Sequence, residues 1–131
     1  MFNLTKTIKT PSADISLTDN NMYYVKFTTD TALSLDVAKA VIDSINSLQN
    51  VKKLPVLIEV FSGNNLPTDE AREFLGNPNL QTMGQCDAFV LKSLAQKIAG
   101  NLFLRLHKPQ RPTKMFTDIN EAIQWLEENR K

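Results

Sequence analysis

The chain has 131 residues, the length of one domain, and folding at this size removes about two-thirds of the unfolded surface from water, so no covalent staple is needed. Its 15 basic residues stand against 14 acidic ones, and a net charge of +1 excludes attraction of the whole surface to nucleic acid or to an acidic membrane. A single cysteine, Cys86, excludes an internal disulfide and fits a reducing compartment, and with the one histidine, His107, it falls short of the three or four ligands that a zinc site takes.

The first ten residues, "MFNLTKTIKT", hold no apolar core of signal-peptide length, and no run approaches the ~20 apolar residues of a membrane span. The expectation is a cytoplasmic protein without stable membrane insertion. "ADISLTDNNMYYVKFTT" reads as a hairpin, in which Ile15 and Leu17 alternate with polar neighbours, "DNN" turns, and Met22, Tyr24 and Phe27 lie among β-formers. In "SLDVAKAVIDSINSLQN" the period changes. Val37, Ala38, Val41, Ile42, Ile45 and Leu48 step by three and four, a helix with one buried face, begun by Ser34 or Asp36. "PVLIEVF" is a continuous apolar run suited to a parallel strand covered on both faces.

The loop "SGNNLPT" follows, then a short helix "TDEAREFLG" that buries Ala71, Phe74 and Leu75 and ends at Gly76. "DAFVLK" is a second buried strand. "SLAQKIAGNLFLRL" is a helix whose residues Ser93 to Gln96 form a capping box, "PTKMF" a last short strand, and "DINEAIQWLEENRK" a final amphipathic helix with Asp118 and Glu121 at capping spacing. The order β-β-α-β-α-β-α-β-α defines an α/β domain over residues 1–131, with a mainly parallel, mixed sheet, an N-terminal antiparallel hairpin and four helices.

This order, with "LPVLIEV" before the loop, "TDEAREFL" after it, "DAFVLKS", "NLFLRLHKPQRPTKMF" and "EAIQWL", resembles the STAS domains, and more narrowly the small stand-alone SpoIIAA-like (STAS/SEC14-type) bacterial proteins, over residues 12–128. The resemblance implies a non-catalytic regulatory module that engages a partner protein or a small anionic or amphipathic ligand through the loop, here Ser62, Gly63, Asn64, Asn65 and Thr68. Its SEC14 side implies an alternative, a lipid or small-molecule carrier, which requires an apolar cavity. The regulatory members carry an Asp-Ser-Ser-Gly-like stretch with a phosphorylated serine, where this chain has "PTDEA". Thr68 is the nearest hydroxyl, and a phosphate there would meet the like charges of Asp69 and Glu70.

Thr68 reads most simply as an N-cap. Gly63 and the asparagines can adopt positive φ and expose N–H groups as an anion nest at the carboxyl edge of the sheet. The chain holds neither a phosphate-binding P-loop nor a dinucleotide fingerprint, so no cofactor is expected. Glu59 inside "VLIEVF" is a carboxylate in a buried strand and the one candidate for an enzymatic reading, although no second catalytic group stands near it in sequence. The stretch "RLHKPQRPTK" places Arg105, His107, Lys108, Arg111 and Lys114 together without an acid, and its prolines would present them outward. It lacks the interleaved aromatics of a nucleic-acid surface. Cys86 reads as a small core residue. Trp125 flanks the buried stripe of the last helix. The helix from Ser93 carries apolar pairs at 94/95, 98/99 and 102/103, a face wide enough that a homodimer is expected to cover it.

Overall fold

The computed structural model describes residues 2–48, 53–77, 85–109 and 111–130. Six strands lie in one sheet in sequence order: β1 (Leu4–Lys9), β2 (Ala13–Thr18), β3 (Tyr23–Phe27), β4 (Val56–Glu59), β5 (Asp87–Val90) and β6 (Thr113–Phe116). The pairs β1–β2 and β2–β3 are antiparallel, and β3 to β6 are parallel. The parallel strands are joined through α1 (Leu35–Leu48), α2 (Asp69–Leu75) and α3 (Leu94–Leu106), and α4 (Ile119–Asn129) follows β6.

The alternation of side chains along each strand builds two separate cores. Tyr23, Val25, Phe27, Val56, Ile58 and Phe89 face one way, onto Ala38, Val41 and Ile45 of α1 and Ala71 of α2, with Leu104 of α3 at the margin. Tyr24, Leu57, Ala88 and Val90 face the other way, onto Ala122 and Leu126 of α4. Parallel strands that advance in one direction through crossovers of one hand place the connecting helices on one face. The opposite face is thus left to α4.

Local caps hold the helix starts. Ser34 Oγ accepts from Val37 N at 3.4 Å, Thr68 Oγ1 from Ala71 N at 3.3 Å and Ser93 Oγ from Gln96 N at 3.2 Å. The reciprocal bond of the Ser93 box goes to Lys92 N, which donates to Gln96 Oε1 at 2.8 Å. Asp118 accepts from Asn120 N at 2.8 Å, so Glu121 is not needed for that cap. Gly76 ends α2 in a right-handed conformation, φ −81°, and its N–H donates to Arg72 O. The residues 49 and 50 placed at the end of α1 lie outside the described residues.

Two features differ from the sequence reading. β1 extends the expected hairpin into a three-stranded meander. It holds few apolar residues because it is an exposed edge: Lys6 and Lys9 and a register break between Leu4 and Lys6 blunt it against further pairing. Its threonines attach it, Thr7 Oγ1 to Ser16 Oγ at 2.9 Å and Thr5 Oγ1 to Leu17 O at 3.0 Å. The second difference is in α3, where only Gly100 is buried. Leu94, Ile98, Leu102 and Leu106 are 52–69% exposed, so the sheet leaves one apolar stripe of this helix uncovered.

Candidate functional site

At Gly100 α3 touches the sheet so closely that a Cβ would lie 3.0 Å from Met115 Sδ and 3.2 Å from Leu91 Cδ1. Beyond that point, toward its C-terminal end, a cavity of about 600 Å³ opens between α1, α2, α3 and the sheet. Val41, Ile42 and Ile45 of α1, Val25, Val56, Ile58 and Phe89 of the sheet, and Phe103 and Leu104 of α3 make its apolar wall. Asp69, Arg72 and Glu73 of α2 line it beside His107 and Lys108, which follow α3. A volume of this order suits a small organic ligand, and mostly apolar walls with a few convergent polar groups are the usual form of such sites.

Asp87 and Arg111 lie on the cavity wall. Asp87 opens β5 on the same face as Phe89, in register with Val56 and Thr113. It is 6% exposed, and Arg111 Nε donates to its Oδ2 at 2.8 Å. Burial pushes the Asp87 carboxyl up from its ordinary value, and the Arg111 charge and hydrogen bond oppose that rise. Asp87 Oδ1 is buried and has no hydrogen-bond partner among the described residues; the same holds for Arg72 Nε on α2, whose guanidinium pairs with Asp69 and lies 5.5 Å over the Phe103 ring. The sequence reading passed over Asp87 in favour of Glu59. The available signal was an aspartate at the entrance of one buried strand with an arginine two residues ahead of the next.

The loop after β4 is closed on itself. Residues Gly63–Asn65 form a turn of 3₁₀ helix capped by Ser62. Asn65 is fully buried. Its Oδ1 accepts from Phe61 N at 2.7 Å and Ser62 N at 2.9 Å, and its Nδ2 donates to Thr31 O at 2.6 Å and Thr29 O at 3.1 Å. The Asp30 carboxylate accepts from Ser62 Oγ and from Asn64 Nδ2. The positive φ open to Gly63 and the asparagines is not adopted: among the described residues only Asn21, in the β2–β3 turn, has it. The loop therefore forms no nest of that geometry, and Asp30 brings a negative charge to it.

The basic stretch is divided by the sheet. Arg105 and Lys108 are exposed, whereas Arg111 turns inward to Asp87 and also donates to Leu75 O at 3.4 Å, so it is not presented outward as expected. Lys114 lies on the α4 face, 5.5 Å over the Phe116 ring, and is separated from His107 and Lys108. Glu59 stands half-buried at the end of β4, and its partner is Tyr24, whose hydroxyl donates to Oε1 at 2.8 Å. Burial and that bond raise the Tyr24 hydroxyl far above its ordinary value. Cys86 is fully buried in the α4-side core, and burial, then the neighbouring Asp87 charge, pushes its thiol up to about 11. Trp125 is half-buried, its ring centroid 5.9 Å from that of Phe116. Among the described residues no group of three or more His, Cys, Asp or Glu side chains could hold a metal ion. No helix among them is long and apolar enough to cross a membrane.

One mixed sheet with three helices on one face, one on the other and an apolar cavity beneath the first layer defines a three-layer α/β domain. Within that class, the chain belongs to the family described as "Domain of unknown function (DUF7793)", whose profile matches residues 15–130. No curated protein matches it. Its structure is similar to the crystal structure of an uncharacterised protein of the DUF3478 family, with a SpoIIAA-like fold, from Shewanella loihica PV-4. The identity is 12% and the TM-score 0.48, over 96% of this chain and 95% of that one.

Proposed function

We propose that this domain works by binding rather than by catalysis, and that it takes a small amphipathic ligand in the cavity beneath α1, α2 and α3. The observation that carries this is the cavity itself, about 600 Å³ with an apolar wall and a polar end at Asp87, Arg111, Arg72 and His107. It supplies what the carrier alternative requires. The ligand's apolar body would leave water at roughly 25 cal/mol per Å² buried, a driving force that needs no change in the core. The loop from Ser62 to Thr68 then serves as the scaffold's edge beside α3, with Gln96 against Gly63, and a partner would read it from outside.

Native mass spectrometry of gently purified protein tests this reading. The expected spectrum carries an added small-molecule mass that disappears in Val41→Phe, where a ring occupies the cavity. A bare species, together with failure of apolar probes to bind, would sink the reading.

The exposed stripe of α3 favours a second element of the proposal, a homodimer. Leu94, Ile98, Leu102 and Leu106 recur every four residues, and an evenly spaced row is self-complementary when two copies meet antiparallel about a two-fold axis, Leu94 opposite Leu106 and Ile98 opposite Leu102. Sedimentation equilibrium checks it: a dimer that Ile98→Glu converts to a folded monomer is expected, and a monomeric wild type over the micromolar range would end it.

A further inference from the structure

We propose that the ligand enters the cavity between α2 and α3, and that the contact of Arg72 with Phe103 is the latch across this passage. The proposal rests on the cavity being a ligand site and names the elements that admit the ligand.

The walls of the cavity are unequal. α1 buries six residues, among them Val41, Ile42 and Ile45, and β3, β4 and β5 each have a paired strand on both sides. Parting either wall would break the core or the sheet. α2 buries Ala71 alone and α3 Gly100 alone. The start of α2 is anchored, since Thr68 N donates to Leu33 O at 3.0 Å and Asn65 fixes the loop before it. α3 is pinned at Gly100, and the turn that carries Phe103 and Leu104 continues past that point along the cavity. Elements with few buried contacts open at the lowest cost, here α2 about Thr68 and the end of α3 about Gly100. The exposed residues of the cavity lining mark the same gap: Asp69 and Glu73 on α2, Lys108 and Pro109 after α3.

Arg72 bridges this gap. Asp69 holds its guanidinium on α2, and the guanidinium carbon lies 5.5 Å over the Phe103 ring of α3. The Arg72 side chain is 25% exposed, so its attraction to the ring acts partly out of water, where such contacts are stronger. A second tie, from Arg111 Nη1 to Leu75 O, is 3.4 Å long and weak. Releasing Arg72 from Phe103 therefore frees the passage and leaves the core and the sheet intact.

Stopped-flow fluorescence with N-phenyl-1-naphthylamine, a neutral apolar probe, tests this in the full chain. Arg72→Ala is expected to raise the association and dissociation rate constants together by about fivefold or more, with Kd within about twofold of wild type, because a latch sets the barrier and not the bound state. Arg105→Ala, an exposed arginine of α3 that does not line the cavity, should leave both rates unchanged. Arg72→Lys keeps the charge but loses the planar stacking group, so a smaller rise in both rates is expected. It decides the matter if Arg72→Ala does not fold. Rates equal to wild type, or a change in dissociation alone that carries Kd with it, overturn the latch and leave the cavity as a ligand site. No binding by wild type, or binding that Val41→Phe leaves unchanged, overturns both.

Discussion

Arg111→Ala removes one half of the buried ion pair. In the folded protein Asp87 is 8% exposed by side chain and Arg111 22%, so the variant leaves a carboxylate that water barely reaches. Breaking a buried pair from one side costs about 3–5 kcal/mol, against about 0–1 for a surface pair. The partial exposure of Arg111 puts the expectation at about 3 kcal/mol, because some of its attraction is already screened. The 3.4 Å contact to Leu75 O is too long to add much.

The pH dependence follows from the same carboxyl. Its folded value is raised by burial, and losing Arg111 raises it further. A raised acid adds stability below its unfolded value, and that stability is lost as pH rises through the folded value. The deficit of Arg111→Ala relative to wild type is therefore largest near neutrality and shrinks on acidification. Urea denaturation at a series of pH values measures it, and Asp87→Leu/Arg111→Met, which replaces both members of the pair by apolar side chains, is expected within about 1 kcal/mol of wild type or above it. A loss under about 1 kcal/mol, or one that does not change with pH, would refute the claim that the pair is buried and interdependent.

Other perturbations give sharp outcomes. Asn65→Ala deprives Phe61 N, Ser62 N, Thr29 O and Thr31 O of their partners, and a loss of about 3 kcal/mol or more in urea is expected, because several backbone groups are left unsatisfied together. Thr68→Ala removes only the cap on Ala71 N and should cost about 1 kcal/mol, with no change in phosphate content by intact mass. Cys86 should be inert to a thiol reagent at pH 8 in the native protein and react at once in denaturant. Its thiol is pushed up to about 11 and is fully buried, so both thiolate and access are lacking.

The elements that sequence predicted well are those whose signals are local. The three-and-four spacing in α1 and α4, the caps at Ser34, Thr68, Ser93 and Asp118, and the continuous apolar runs of β4 and β5 depend on neighbours within a few residues. β1 was not legible because an edge strand with a solvated face needs few apolar residues, and "LTKTIK" is made mostly of threonine and lysine. The loop after β4 was legible as a turn, but not as a bracket. That Asn65 binds the backbone at Thr29 and Thr31, or that Asp30 takes the side chains of Ser62 and Asn64, is a relation across more than thirty residues.

Glu59 and Asp87 show the division most plainly. Both are acids in apolar strands. Sequence singled out the one flanked by apolar residues on both sides, yet it lies at a strand end within reach of Tyr24 and half-exposed. The other begins its strand and looks harmless, and it proves the more buried. Burial depends on what covers a position, and the covering elements here, α2 and the segment after α3, come from elsewhere in the chain. By itself the sequence determined the alternation of strand and helix, the buried faces of α1 and α4 and the caps that start the helices, because these follow from periodicity and short-range hydrogen bonding. Only the tertiary structure decided that α3 meets the sheet at Gly100 and leaves a cavity beyond it, with Asp87 and Arg111 on its wall, because the space between packed elements is set by side chains distant in sequence.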